Sequence, residues 1–137
     1  MPIPSFAEFQ AVMRQGWRVS SPHFVLHCCP CLHTKPAQQA LPNRIGALLP
    51  KRWAKKAVRR NLLRRKIYAT AAGHLPALAQ AAGHTLDCVV RLRGSWAAQA
   101  YPSARSELLK HEVGQELDAL FAQAQGKIAG GRRGAHV

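Results

Sequence analysis

Acidic residues are what this 137-residue sequence has least of: six Asp and Glu stand against twenty Lys and Arg, for a formal charge of +14. No acid occurs between Glu8 and Asp87. A protein-borne two-metal nuclease centre needs several convergent carboxylates, and so sparse a set does not supply one. A centre of that kind is therefore not expected in this chain. Long apolar runs are also missing. Nothing approaches the ~20 residues of a membrane span, and the opening MPIPSFAEFQ has neither the basic n-region nor the apolar h-region of a signal peptide. These absences predict a cytoplasmic protein without membrane attachment. Cysteines number four, Cys28, Cys29, Cys31 and Cys88, and fit reduced thiols of that compartment. Cys28 and Cys31 have C-x-x-C spacing with His33 nearby, but no second ligand pair follows, so no metal site is predicted. Cys28 and Cys29 read instead as small buried strand residues.

What is present in excess is positive charge, concentrated in one stretch. From Lys51 to Lys66 nine of sixteen residues are Lys or Arg, with no acid, Gly or Pro among them. A solvated surface helix ordinarily mixes in Glu or Asp for i,i+4 pairing, whereas this one retains its like-charge repulsion. Such a helix fits a polyanion. On a helical projection Lys55, Lys56, Arg59 and Lys66 share one side, with Arg60 and Arg64 at its edge. Ala54, Ala57, Val58, Leu62, Tyr68 and Ala69 fall opposite, although Asn61 and Arg65 project within that apolar arc and Leu63 and Ile67 within the basic one. The opposite side is mainly alanine, which argues against membrane attachment through this helix.

The length suits one domain with a real core, here residues 1–125 followed by a basic, Gly-rich disordered tail at 126–137. Ser5 to Glu8 form a capping box for a first helix ending near Gln15, with Phe6, Phe9, Val12 and Met13 on its apolar side. Two strands follow, Trp17 to Ser20 and His23 to Cys29, bounded by prolines. Pro30 to Asn43 is a long connection. Arg44 to Leu49 is a third strand, after which Pro50 enters the basic helix at its first turn, with an end expected at Gly73. The Ala-rich segment to Gly83, interrupted by Pro76, supports only a short helical turn or linker. Asp87 to Arg93 is the fourth strand. Ser103 caps a final helix, whose Leu108, Leu109, Val113, Leu117, Leu120 and Phe121 recur at three- and four-residue intervals. Four of the six acids lie in it, turned from the polyanion or balancing the basic helix. No internal repeat is visible. The order predicts an α+β sandwich, α-β-β-β-α-β-α, around a small sheet.

At these residues the chain resembles the bacterial ribonuclease P protein component. Arg44-Ile45-Gly46 matches the strand motif Arg-(Val/Ile)-Gly of that family, Lys51 and Arg52 its Lys-Lys pair, Arg60 and Asn61 the start of Arg-Asn-Arg, and Arg64 and Arg65 the Lys-Arg beyond it. FAEFQAVMRQG, HFVL and LDCVVRLR match the flanking elements. Leu62 departs from the second Arg of Arg-Asn-Arg, and Tyr68 from another common Arg. The resemblance implies a left-handed β-α-β crossover through the basic helix, against the usual right-handed rule. It also implies that Arg44, Lys51, Arg52, Lys55, Lys56, Arg59, Arg60, Asn61, Arg64, Arg65 and Lys66 bind the catalytic RNA. A cleft between the first helix and the sheet would hold the 5′ leader of precursor tRNA, carried over by position onto Phe9, Met13, Phe24 and His27; Phe24 reads equally as a core residue.

The implied function is promotion of endonucleolytic leader removal, with the chemistry carried by the RNA subunit and Mg²⁺ held mainly by RNA phosphates. The implied partners are the ribonuclease P catalytic RNA and precursor tRNA, and no small-molecule substrate is expected. His23 and His27, the best acid-base pair, would lie ~13 Å apart along a strand, too far for joint work on one phosphate. The alternative class is a non-catalytic RNA-binding protein or RNA chaperone, such as a ribosome-associated one. A DNA-binding reading lacks helix-turn-helix spacing.

Overall fold

The computed structural model describes residues 3, 6–30, 43–95 and 107–134. The Ser5 and Ser103 caps, Cys31, His33, and most of the connections beginning at Pro30 and Gly94 lie outside the described residues. The element order is α1 (Phe6–Gln15), β1 (Trp17–Ser20), β2 (Phe24–Pro30), β3 (Arg44–Leu48), α2 (Ala57–Ala82), β4 (Leu86–Leu92) and α3 (Glu107–Gly134), the α-β-β-β-α-β-α arrangement expected of an α+β sandwich. The strands form one sheet in the order β1-β2-β4-β3. β1 with β2 and β2 with β4 are antiparallel, while β3 and β4 are parallel neighbours joined through α2.

Alternation along these strands gives the sheet two unlike faces. Phe24, Leu26 and Cys28 of β2, Ile45 of β3 and Cys88, Val90 and Leu92 of β4 point to one side. They pack there with Leu62, Leu63, Ile67, Ala71, Leu75 and Leu78 of α2 and with Leu109, Val113, Leu117, Leu120 and Phe121 of α3. The opposite face carries Cys29 and Val89 under Val12 of α1, with Phe9, Met13 and Leu48 at the margin of this smaller cluster.

Three helix boundaries differ from expectation. α2 begins at Ala57 rather than at Pro50, because Trp53 and Ala54 both donate to the Pro50 carbonyl in a turn. Lys56 is the N-cap, extended at φ −82° and ψ 132°. At the other end α2 runs through Gly73 and Pro76 to Ala82. Leu75 and Leu78 are buried beyond the expected stop, and Pro76 and Gly73 both face solvent, so tertiary packing outweighs the lost hydrogen bond. The true stop is Gly83, which takes the left-handed φ of 83° that glycine adopts without strain while its N–H reaches the Ala79 carbonyl.

α3 likewise continues past Gly126 to Gly134, so residues 126–134 are helical where a disordered tail was expected. Ala124 and Ile128 are buried in the core. Lys127 places its Nζ 2.9 Å from the Arg18 carbonyl and 5.7 Å from the centre of the Trp17 ring. These anchors to β1 overcome the low helix propensity of the local glycines. No helix among the described residues is long and apolar enough to cross a membrane.

Candidate nucleic-acid interface

The basic segment divides into a turn, an extended stretch and a helix. Lys51 and Arg52 occupy the turn after Pro50, and Lys55 and Lys56 the extended residues before α2; all four are exposed. Trp53 fixes the turn by packing on the core, and its ring lies 5.2 Å from the Arg52 guanidinium carbon. Arg60 Nη1 donates back to the Ala54 and Lys55 carbonyls at 2.9 and 2.7 Å, tying the extended stretch to the first turn of the helix. Arg64 Nη1 donates to Asn61 Oδ1 at 3.0 Å. The first turn of α2 has no acid, so the positive end of the helix dipole and four lysine or arginine side chains share one end of the molecule.

The helical division of charge differs from the projection. Leu63 and Ile67, placed there in the basic arc, are fully buried, and Arg65 and Asn61, placed in the apolar arc, are exposed. The seam is Leu63, Ile67, Ala71 and Leu75, an i,i+4 row. Val58, assigned to the buried side, is exposed, and Arg59, Arg60, Arg64 and Lys66 are half-buried at its margins.

Arg44 leaves this surface altogether. It is 5% exposed and bidentate to the fully buried Asp87, Nε to Oδ1 at 2.9 Å and Nη2 to Oδ2 at 2.7 Å. Its Nη1 donates to Glu8 Oε1 at 2.8 Å, joining β3, β4 and α1. The Asp87 bond raises the Arg44 pKa and outweighs the opposing effect of burial. A guanidinium so enclosed cannot face phosphate, and the RNA-binding assignment of Arg44 is corrected to a structural one.

The four candidates for the cleft do not share a face. Phe24 is fully buried in the cluster under α2 and α3, on the far side of the sheet from α1, and is core rather than cleft. His27, three residues on, projects to the α1 side as alternation requires. Phe9 lies over β3: a Cβ built on Gly46 would fall 2.5 Å from its ring, so only glycine allows this approach without moving the ring. Met13 packs at the edge of the same cluster and, with Gln10 and Arg14, lines a depression of ≈ 270 Å³.

Reading by position missed the arginines beside His27. Arg18 is its cross-strand neighbour on β1, and Arg91 Nε lies 3.5 Å from His27 Nε2. Burial, then Arg91, then Arg18, lower the His27 pKa to about 4, so its ring is neutral near pH 7. The signal was present in DCVVRLR, where Arg91 alternates with Val90 and Leu92 and must take the other face. His23, by contrast, belongs to the β1–β2 turn, where its Nδ1 lies 2.7 Å from Glu116 Oε1. Glu116 also accepts from Ser21 Oγ, and Asp118 lies 3.0 Å from His74. Of the α3 acids, Glu116 thus ties α3 to the β1–β2 turn and Asp118 ties it to α2.

The fold is shared with solved structures. The Staphylococcus aureus RNase P protein superposes with a TM-score of 0.63 at 20% identity, covering 90% of this chain and 94% of that one. The RNase P protein from Thermotoga maritima gives 0.59 at 17%, covering 89% and 96%. No curated protein matches the chain. The family model described as Ribonuclease P matches residues 3–117. The chain belongs to the ribonuclease P protein family, and its structural role is that of a ribonuclease P protein subunit.

Proposed function

We propose that this chain binds the ribonuclease P catalytic RNA and the 5′ leader of precursor tRNA, and so promotes endonucleolytic removal of the leader in the cytoplasm. The observation that carries this reading is the exposed group Lys51, Arg52, Lys55 and Lys56 gathered at an acid-free helix start. Backbone N–H groups and cations converging there suit an RNA phosphate. Arg65 extends the surface along α2, with Arg59, Arg64 and Lys66 on its flanks and Asn61 and Arg60 holding the local geometry.

The leader is read by the partly covered face of the sheet. Phe9 and Met13 offer surfaces for bases and Arg18 and Arg91 neutralise phosphates, while buried, neutral His27 sits beneath Arg91, its Nε2 3.5 Å from the Arg91 Nε. The acids near this face do not suit a metal, because Glu8 and Asp87 converge on Arg44 and an ion there would displace a bidentate guanidinium. In this reading Mg²⁺ is required by the holoenzyme and is held mainly by RNA, which also carries the chemistry.

The test is cleavage of a leader-bearing precursor tRNA at low Mg²⁺ by the cognate RNA alone, the chain alone, and both. Cleavage stimulated only in the mixture is expected. Cleavage by the chain alone would overturn the division of labour, and no stimulation would favour a non-catalytic RNA-binding protein or RNA chaperone.

A further inference from the structure

Between α2 and α3, Leu62, Arg65, Lys66 and Ala69 of α2 and Lys110 of α3 line an open pocket of ≈ 310 Å³. The four α2 residues follow i, i+3, i+4, i+7 spacing and so present one row to the cleft. Leu62 is 7% exposed and forms the floor together with Ala69, whose side chain faces solvent. Three cations rim it. Lys66 reaches across to α3, its Nζ 4.0 Å from where a Cβ on Gly114 would sit. Lys110 Nζ lies 3.0 Å from Glu107, which is 86% exposed, a surface pair too weak to hold the ammonium against a phosphate. Among the described residues neither Arg65 nor Lys66 pairs with a carboxylate.

An apolar floor beneath a rim of three cations is complementary to a flat ring with an apolar face that carries a phosphate. We propose that this pocket receives a single unstacked nucleotide of the ribonuclease P RNA, its base against Leu62 and Ala69 and its phosphate among Arg65, Lys66 and Lys110. The inference rests on the RNA-binding reading above and adds to it a second helix, α3, and a pocket for a base. A fully paired strand does not fit, since its bases are stacked away from the protein; an unpaired residue or bulge does.

Ala69→Phe tests it, because the new ring fills the pocket from its solvent side and leaves charge and core unchanged. Affinity for the cognate ribonuclease P RNA is expected to fall about tenfold, the scale of one lost base contact, with thermal midpoint and circular dichroism preserved. Lys110→Ala should flatten the salt dependence of binding by about one unit, and Lys110→Arg should restore it. Lys51→Ala with Lys55→Ala, outside the pocket, tests the helix start separately. If those two weaken binding while Ala69→Phe and Lys110→Ala leave it unchanged, the pocket is not a nucleotide site and the wider reading stands. No measurable affinity of the unaltered chain for the RNA would overturn the wider reading, and the pocket with it.

Discussion

The two faces of the sheet are built from the same strands and do different work. Under α2 and α3, Phe24, Leu26, Cys28, Cys88, Val90 and Leu92 are sealed among aliphatic side chains. Under the much shorter α1, Ile3, Val12, Cys29 and Val89 make a small apolar cluster, and the rest of the face carries Arg44 with Asp87, His27 with Arg91, and Arg18. One side of each strand thus supplies cohesion. The other buries Arg44, Asp87 and His27 as polar groups and leaves Arg18 and Arg91 at the surface. The register of the sheet couples the two, since neither face can shift without the other.

The sharpest test of this contrast compares the phenylalanines that were assigned together by position. Phe24→Ala opens a cavity among fully buried neighbours and should cost about 3–5 kcal/mol, read as a lower denaturant midpoint at unchanged m-value. Phe9→Ala should cost much less stability and act mainly on precursor tRNA affinity relative to mature tRNA. Equal stability losses would erase the distinction between the faces.

Arg44→Ala should approach the same size for a different reason. It strips the bidentate partner from a carboxylate with no solvent access, and breaking such pairs costs roughly 3–5 kcal/mol. The salt dependence of RNA binding by the folded variant should match that of the unaltered chain. A slope reduced by about one unit would return Arg44 to the phosphate surface.

The course of the chain was readable because the strands are short β-rich runs, HFVLHCC bounded by prolines and DCVVRLR with an apolar centre, and because the last helix repeats its apolar residues at intervals of three and four. The face assignments were readable too, at least in principle. Phe24 and His27 are an odd number apart on one strand and cannot line the same cleft, a constraint that matching residues to a family pattern does not impose. Helix ends were less accessible. Pro50 is compatible with a first helical position, and nothing local reveals that Trp53 docks on the core and turns the chain before α2 begins. Pro76 and Gly126 are breakers by propensity, overruled by Leu75, Leu78 and Ile128, whose burial depends on partners distant in sequence. The Arg44–Asp87–Glu8 link joins three elements and has no local signature, although the scarcity of acids before Asp87 left few possible partners.

Gly46→Ala separates position from presence in the cleft. A methyl group there would stand 2.5 Å from the Phe9 ring, so the ring must swing away while every other side chain is retained. Overpacking of this kind costs about 1–3 kcal/mol, towards the low end where a terminal ring can move. The larger relative loss should fall on leader binding, measured as the affinity ratio of precursor to mature tRNA. An unchanged ratio would place Phe9 in support of α1 alone.

The smallest effect concerns His27 and appears as a slope. Its pKa falls from 6.5 to about 4 in the fold, so between those values the unfolded chain binds a proton that the folded chain refuses. Its contribution to stability is complete above pH 6.5 and is lost progressively as pH falls towards 4. Denaturant unfolding at pH 7 and pH 5 should therefore show a difference that His27→Gln reduces by on the order of 1 kcal/mol, since glutamine keeps a polar tip and does not titrate. The cause lies in burial and in the two flanking arginines. Arg91→Gln should accordingly recover part of the loss at pH 5 while leaving His27 in place. If the slope is instead the same in all three chains, the acid sensitivity does not come from His27.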